Sequence, residues 1–219
     1  MFTDRREAGR RLAEKLAEQR WEKAIVLAIP RGGVVVGYEV AHKLKAPLDV
    51  IVPRKIGAPH NPELAIGAVA EDGTMILDSD LINYLGVTDE YIREEGERQI
   101  EEIERRVRKY RKGSPPPDLK GRNVIIVDDG IATGATVRAA IASIRRKQPN
   151  SITLAVPVAP PSTLQQLESE VDRIVCLSTP EPFFAIGQFY REFTQTTDEE
   201  VIQLLEANKK ETKKFPTDK

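Results

Sequence analysis

Apolar residues recur along this chain with two different periods. Ala8, Leu12 and Leu16 fall at i, i+4 and i+8 and predict one face of an N-terminal helix. AIVLAI (24–29) and LDVIV (48–52) are short, unbroken apolar runs, which suit strands buried on both faces. NVIIV (123–127), SITLAVPV (151–158) and DRIVCL (172–177) read the same way. Helical stretches are expected at 34–44, 135–147 and 162–170. LAIGAVA (64–70) and TMIL (74–77), joined by EDG, predict a β-hairpin. RKIGAPHNPE (54–63) reads as a polar, proline-rich turn. Residues 79–112 read as long, charged helix, broken by GSPPPD (113–118), and the tail NKKETKKFPTDK (208–219) as loose. Strand and helix alternate, so the expected fold class is α/β, a twisted, mainly parallel sheet with helices on both faces and right-handed crossovers. Residues 1–219 form one expected domain, with 79–117 as a helical insertion and 179–195 as a hood beyond the last strand.

Composition narrows the function classes. The chain has 219 residues, of which 40% are hydrophobic and 31% charged, and its formal net charge is −1. That balance gives no global case for nucleic acid or for an anionic membrane surface. The single cysteine, Cys176, can form no internal disulfide, and it reads as a small core residue. With only two histidines there is no basis for a Cys/His zinc site. The N-terminal segment lacks the apolar core of a signal peptide, and no apolar stretch approaches a membrane span, so a cytoplasmic protein is expected.

In an open parallel sheet, ligands bind beyond the carboxyl ends of the strands. Four polar segments lie at such ends: PRGG (30–33), PRKIGAPHNPE (53–63), DDGIATGAT (128–136) and TPEPFFAIGQFY (179–190). They are expected to converge on one crevice. Two adjacent carboxylates at a buried strand end would cost several kcal/mol if unpaired, of order 3–5 kcal/mol, so a ligand should reward them. Thr133, Gly134, Ala135 and Thr136 straddle a turn into a helix, where free amides and the positive helix end suit a phosphate. The absence of bulk at Gly134 and Ala135 allows close approach, and both threonine hydroxyls can donate. Ionised Asp128 and Asp129 accept hydrogen bonds, which suits vicinal hydroxyls with a magnesium ion nearby. Phosphate beyond hydroxyls describes a ribose 5-phosphate.

VIIVDDGIATGAT (124–136) resembles the thirteen-residue phosphoribosyl-diphosphate signature of type I phosphoribosyltransferases: apolar residues, two adjacent acids, then a TG-containing loop. The resemblance extends over nearly the whole chain, through PRKIGAPHNPELAIGAVAEDG and TPEPFFAIGQFYREFTQTTDEEV, to a group of predicted phosphoribosyltransferases without a settled acceptor. It implies Mg²⁺-dependent transfer of a 5-phosphoribosyl group from phosphoribosyl diphosphate to a nucleobase or amine, with release of pyrophosphate. It implies that residues Ala132 to Thr136 hold the 5-phosphate, and that Asp128 and Asp129 hold the ribose hydroxyls and meet the metal indirectly, through ligand or water. Arg31, Gly32 and Gly33 would hold the pyrophosphate with Arg54 and Lys55. Asp128, Asp129, Lys55 and Arg31 are the expected catalytic group. His60 is a candidate base or leaving-group contact. The hood would receive the acceptor on Phe183, Phe184, Phe189 and Tyr190, near Phe193, with Gln188 and Glu181 as polar readers; the same aromatics could equally form a small core under a loop. Ala132 stands where the hypoxanthine–guanine branch carries an aspartate, so a 6-oxopurine acceptor is not expected.

A second function class is a non-catalytic sensor that binds phosphoribosyl diphosphate or a nucleotide and regulates RNA or a protein partner. The basic run from Arg105 to Lys112 is its one sequence feature. A receiver-like signalling domain also uses paired acids, but there they follow the first strand. A homodimer is common for such folds, and no stripe here identifies an interface.

Overall fold

A computed structural model describes residues 1–214. The apolar runs form the central sheet. Strand β1 (Ala24–Ala28) is buried throughout and pairs in parallel with β2 (Leu48–Val50) and β6 (Asn123–Val127). β6 pairs in parallel with β7 (Ser151–Val158), and β7 with β8 (Arg173–Ser178), so the order is β2-β1-β6-β7-β8. Alternate residues of each strand point to opposite faces. Val26, Ala28, Ile125 and Val127 pack with Leu12 of helix α1 (Arg5–Leu16), Val36 of α2 (Gly32–Leu44) and Leu204 of α7 (Asp198–Lys214). Ile25, Leu27, Val124 and Ile126 pack on the other face with Ile141 and Ile144 of α5 (Ala135–Arg146) and Leu167 of α6 (Pro161–Leu167). This is the expected α/β arrangement, a parallel sheet covered on both faces.

The segment 54–63 departs from the expected turn. It forms strand β3 (Arg54–Ala58) and the start of β4 (Asn61–Val69), paired antiparallel, with β5 (Met75–Leu77) completing a second, three-stranded sheet. Ile56, Ala58 and Ile66 are buried, and the reversal is confined to the residues between the strands, where His60 adopts a left-handed φ of 62°. The hairpin of β4 and β5 lies where the alternation predicted it.

The insertion is helical. α3 (Ser79–Leu85) is capped by Asp78, and α4 (Asp89–Arg111) by Thr88, each side chain accepting from a first-turn amide. α4 ends on Arg111, which is only 6% exposed. Its guanidinium donates to Asp49 and Glu71 at 3.1 and 2.9 Å and to the Val50 carbonyl at 2.8 Å, fastening the insertion to β2.

The tail departs further. α7 runs to Lys214, so most of the stretch expected to be loose is helical, and 215–219 lie outside the described residues. Buried Asn208 accepts from the Leu48 amide at 2.8 Å and donates to the Ala46 carbonyl at 3.1 Å, covering backbone groups beside the edge strand β2. Cys176 is half-buried in β8. No helix among the described residues is long and apolar enough to cross a membrane.

Candidate active site

The carboxyl ends of β1, β2 and β6 open into a cleft with two chambers of about 840 and 860 Å³. Asp128, Thr136, Lys55 and Glu63 border both. The junction therefore carries one of the paired acids, and the hairpin of β3 and β4 arches over it with a lysine and a glutamate.

The first chamber is floored by the segment from Gly130 to Arg138. Gly134 starts α5 with a left-handed φ of 79°, and the first bond of the helix runs from the Arg138 amide to the Gly134 carbonyl. The amides of Ala135, Thr136 and Val137 consequently have no acceptor within the helix, and they carry its positive end. Thr163 donates to the Ala132 carbonyl at 2.7 Å and fixes the turn from behind. Ala132 and Thr133 are exposed, while Ala135 and Thr136 are half-buried. Such a cradle fits a phosphate. Hairpin residues Leu64 and Leu77 and the acids Asp78 and Asp80 form the opposite wall.

The second chamber gathers cations. Arg5, Arg31, Arg54, Lys55, Arg98 and Arg106 all border it. Arg31 lies 3.8 Å from Asp198 at the start of α7. Lys55 is 3.5 Å from Glu63. Arg54 donates to the amide oxygen of Gln99 at 2.8 Å. His60 is an exposed bordering residue. The Pro30–Arg31 peptide is cis.

The two acids differ in surroundings. The Asp128 carboxylate accepts from the Asp129 amide at 2.8 Å, and burial, then repulsion from Asp129, pushes its pKa well above the usual carboxylate range. Asp129 is 8% exposed and ion-paired with Arg5 Nε at 2.6 Å. Arg5 also lies over the Phe193 ring, its Cζ 3.8 Å from the ring centre, and donates to the Thr194 carbonyl. The RGG sequence explains how the acids come so near the first loop. A Cβ on Gly32 would sit 2.0 Å from Asp129 Oδ2, and one on Gly33 would sit 2.9 Å from the Asp128 Cα. The two glycines serve as contact surfaces for the acids as well as the start of α2.

Most of the hood aromatics follow the second of the two readings, a small core under a loop. The Phe183 and Phe189 rings meet at a tilt of 43°, 4.9 Å between centres, and pack with Phe2, Tyr190 and Val158 in a satellite core. Tyr190 is buried and donates its hydroxyl to the Asp129 carbonyl at 2.5 Å. Phe184 is exposed. Gln188 is spent locally, accepting from the Phe184 and Ala185 amides and donating to the Pro182 carbonyl. Among the described residues of 179–195, only Ile186 and Phe193 border the cleft. Ile186 packs directly on Gly130, where a Cβ would meet it at 2.6 Å.

Sequence reasoning missed Arg5, Ile186, Gln99 and Arg106. Arg5 sat in a helix read only by its apolar face, and no spacing rule links residue 5 to residue 129. The basic run 105–112 is largely engaged within the chain: Arg105 and Arg106 with Glu102, Lys109 with Asp198, Arg111 with Asp49 and Glu71, and Lys112 with Glu206.

No group of three or more His, Cys, Asp or Glu side chains among the described residues could hold a metal unaided. Two adjacent carboxylates facing a cation-lined chamber nonetheless fit Mg²⁺, which keeps several waters and is held through one or two carboxylates plus substrate phosphates.

A family model described as the phosphoribosyl transferase domain matches residues 3–193. Two Mycobacterium tuberculosis relatives, from strains CDC 1551 and H37Rv and both named "Putative phosphoribosyl transferase", are 45% identical over 206 residues. The match takes in 94% of this chain and 46% of theirs, so the chain spans about half the length of these curated relatives. The crystal structure of TT1426 from Thermus thermophilus superposes with a TM-score of 0.79 at 43% identity, covering 93% of this chain and 97% of that one. AQ2163 from Aquifex aeolicus shares the fold at a TM-score of 0.51 and 16% identity, over 84% of this chain and 76% of its own.

Proposed function

The chain belongs to the phosphoribosyl transferase domain family, and on that premise we propose that it transfers a 5-phosphoribosyl group from phosphoribosyl diphosphate to a nucleobase or amine. The observation that carries this reading is the position of Asp128 between a helix-start cradle on one side and a cation-lined chamber on the other. The donor has the same order of parts: a 5-phosphate, two ring hydroxyls and a diphosphate.

In this reading the amides of 135–137 and the hydroxyls of Thr133 and Thr136 hold the 5-phosphate. Asp128 and Asp129 accept from the ribose hydroxyls, with Arg5 orienting Asp129 through their ion pair. Arg31, Arg54 and Lys55 receive the diphosphate near Gly32 and Gly33. Mg²⁺ bound to the diphosphate would neutralise charge on the leaving group, and Asp128 and Asp129 are the residues that would hold it, through ligand or water. The acceptor nitrogen bonds to C1 of the ribose as the C1–oxygen bond to the diphosphate breaks. The electron pair leaves with pyrophosphate, and the acceptor's proton passes to solvent or to a base. Preorganised cations in the second chamber favour that separation because they already face the developing charge. The satellite core absorbs Phe183, Phe189 and Tyr190, so acceptor contact moves to Ile186, the hood residue beside Gly130.

Incubation of a panel of nucleobases and amines with phosphoribosyl diphosphate and Mg²⁺ tests the reaction. The expected result is pyrophosphate release with at least one acceptor, lost in Asp128→Asn. Tight donor binding without release across a broad panel would replace the transferase by the sensor. The internal pairing of 105–112 already removes much of the charge an RNA-binding form of that sensor would need.

A further inference from the structure

The second chamber contains one cation whose partner is neutral. Arg54 is half-buried at the start of β3, and its side-chain bond is to Gln99, an amide from helix α4. Gln99 in turn donates to Glu95 at 2.7 Å, which fixes the amide so that its oxygen faces Arg54. Glu95 is itself engaged with Arg98 at 2.7 Å. One turn further along α4, Glu102 accepts from Arg105 and Arg106 together, each at 2.7 Å, so a single carboxylate serves two guanidiniums. Glu102 is thus shared between Arg106 and Arg105, while Arg54 has no carboxylate in hydrogen-bond contact among the described residues. Burial, then the like charge of Arg106, makes Arg54 harder to keep protonated, while Glu102 and Glu95 work the other way. Arg54 and Arg106 border the chamber, whereas Arg105 does not. Tyr91 of α4 donates to the Gly57 carbonyl at 3.0 Å, which holds the helix against the β3 hairpin that presents Arg54. A half-buried guanidinium matched only by an amide and crowded by a second guanidinium calls for an anion between them.

We infer that helix α4 of the insertion completes the anion wall of the second chamber, with Arg106 as a further diphosphate-binding residue and Gln99 as the positioning residue for Arg54. This rests on the proposed donor. The sequence predicts 79–117 only as a helical insertion; in this inference its helix supplies part of the binding surface. Two guanidiniums that approach from two elements, β3 and α4, suit a diphosphate with its divalent cation better than a single phosphate.

Direct titration tests the wall independently of catalysis. Magnesium pyrophosphate and ribose 5-phosphate are bound separately to the wild type, Arg106→Gln, Gln99→Leu and Arg105→Gln, with folding checked by melting. Arg106→Gln should weaken pyrophosphate about tenfold, the value of one charge-assisted contact, and leave ribose 5-phosphate unchanged. Gln99→Leu should weaken pyrophosphate in the wild type but add little in an Arg54→Gln background, since its effect runs through Arg54. Arg105→Gln, on the same helix but outside the chamber, should bind both ligands as the wild type does. Equal losses for both ligands, equal effects of Arg105→Gln and Arg106→Gln, or full additivity of Gln99→Leu with Arg54→Gln would overturn the inference. Retained pyrophosphate binding without transfer to any acceptor would sink the transferase reading and leave the wall standing; transfer to an acceptor with pyrophosphate affinity unchanged in Arg106→Gln would do the reverse.

Discussion

At the scale of single residues, the two signature acids are not equivalent. Asp129 is neutralised by Arg5, carried by Gly32 and bonded at its carbonyl by Tyr190. Asp128 faces the cleft, with burial and its neighbour opposing its charge. A carboxyl raised in the folded state costs nothing below the ordinary aspartate value of about 4, and it subtracts stability as the pH climbs from there through the folded value. Asp128→Asn removes that titration. In ligand-free, chelated buffer at pH 7 the variant should therefore melt above the wild type, by about 2–4 °C for each kcal/mol relieved in a domain of this size. The gap should close as the pH falls toward 4, and equal melting curves across that range would show that the carboxyl ionises without cost. The acids themselves were legible, because two carboxylates after an apolar run and before a small-residue turn form a local pattern. Their unequal partners were not, since Arg5 and Tyr190 lie far off in sequence and reach Asp129 only through the fold. Gln188 shows the converse: it looked like a polar reader, but a loop must satisfy its own backbone first, and the side chain does so.

At the scale of elements, unbroken apolar runs marked the parallel strands because strands covered on both faces have no polar side to display. The β3–β4 hairpin was hidden because Gly57, Pro59, His60, Asn61 and Pro62 all favour turns, and pairing across the hairpin overrode that local preference. The second half of helix α7, NKKETKK, was hidden because it has no apolar residue to mark it; Val201, Leu204 and Leu205 bury the first half, and Asn208 holds the second through polar contacts. The insertion is the most instructive case, since its basic run looked like surface and one member is a buried anchor. Arg111 holds Asp49 and Glu71 together beside β2. Arg111→Met should leave both carboxylates without their counter-charge and cost about 3–5 kcal/mol in urea unfolding. Lys112→Ala, one residue on and paired with Glu206 at the surface, should change stability by less than about 1 kcal/mol. Similar losses for the two variants would mean that the Arg111 cluster stays hydrated and acts as a surface pair.

At the scale of the molecule, the parallel sheet sets one end for every strand loop, and the second sheet with α4 closes over that end. The cleft is thus lined from three layers, α1 through Arg5, the strand ends through Arg31 and Asp128, and the insertion through Arg106, and the proposed donor would touch all three. A ligand spanning both chambers ties these layers together, so its binding should register as global stability. At a concentration one hundred times its dissociation constant, a ligand adds about 2.7 kcal/mol to the folded state. For a chain of 219 residues that corresponds to a rise of about 5–10 °C in melting temperature. Phosphoribosyl diphosphate with Mg²⁺ should reach that shift at concentrations where ribose 5-phosphate and pyrophosphate, added together as separate molecules, fall well short. The intact donor brings its second half in at a high effective concentration, and the separate halves do not. Asp128→Asn, though more stable when free, should lose most of the gain, because in the proposed pose the residue at the junction meets the part of the donor that links its two ends. If pyrophosphate alone matched the intact donor at equal concentration, the two chambers would be acting as independent sites, and their shared wall of Asp128, Thr136, Lys55 and Glu63 would need another explanation.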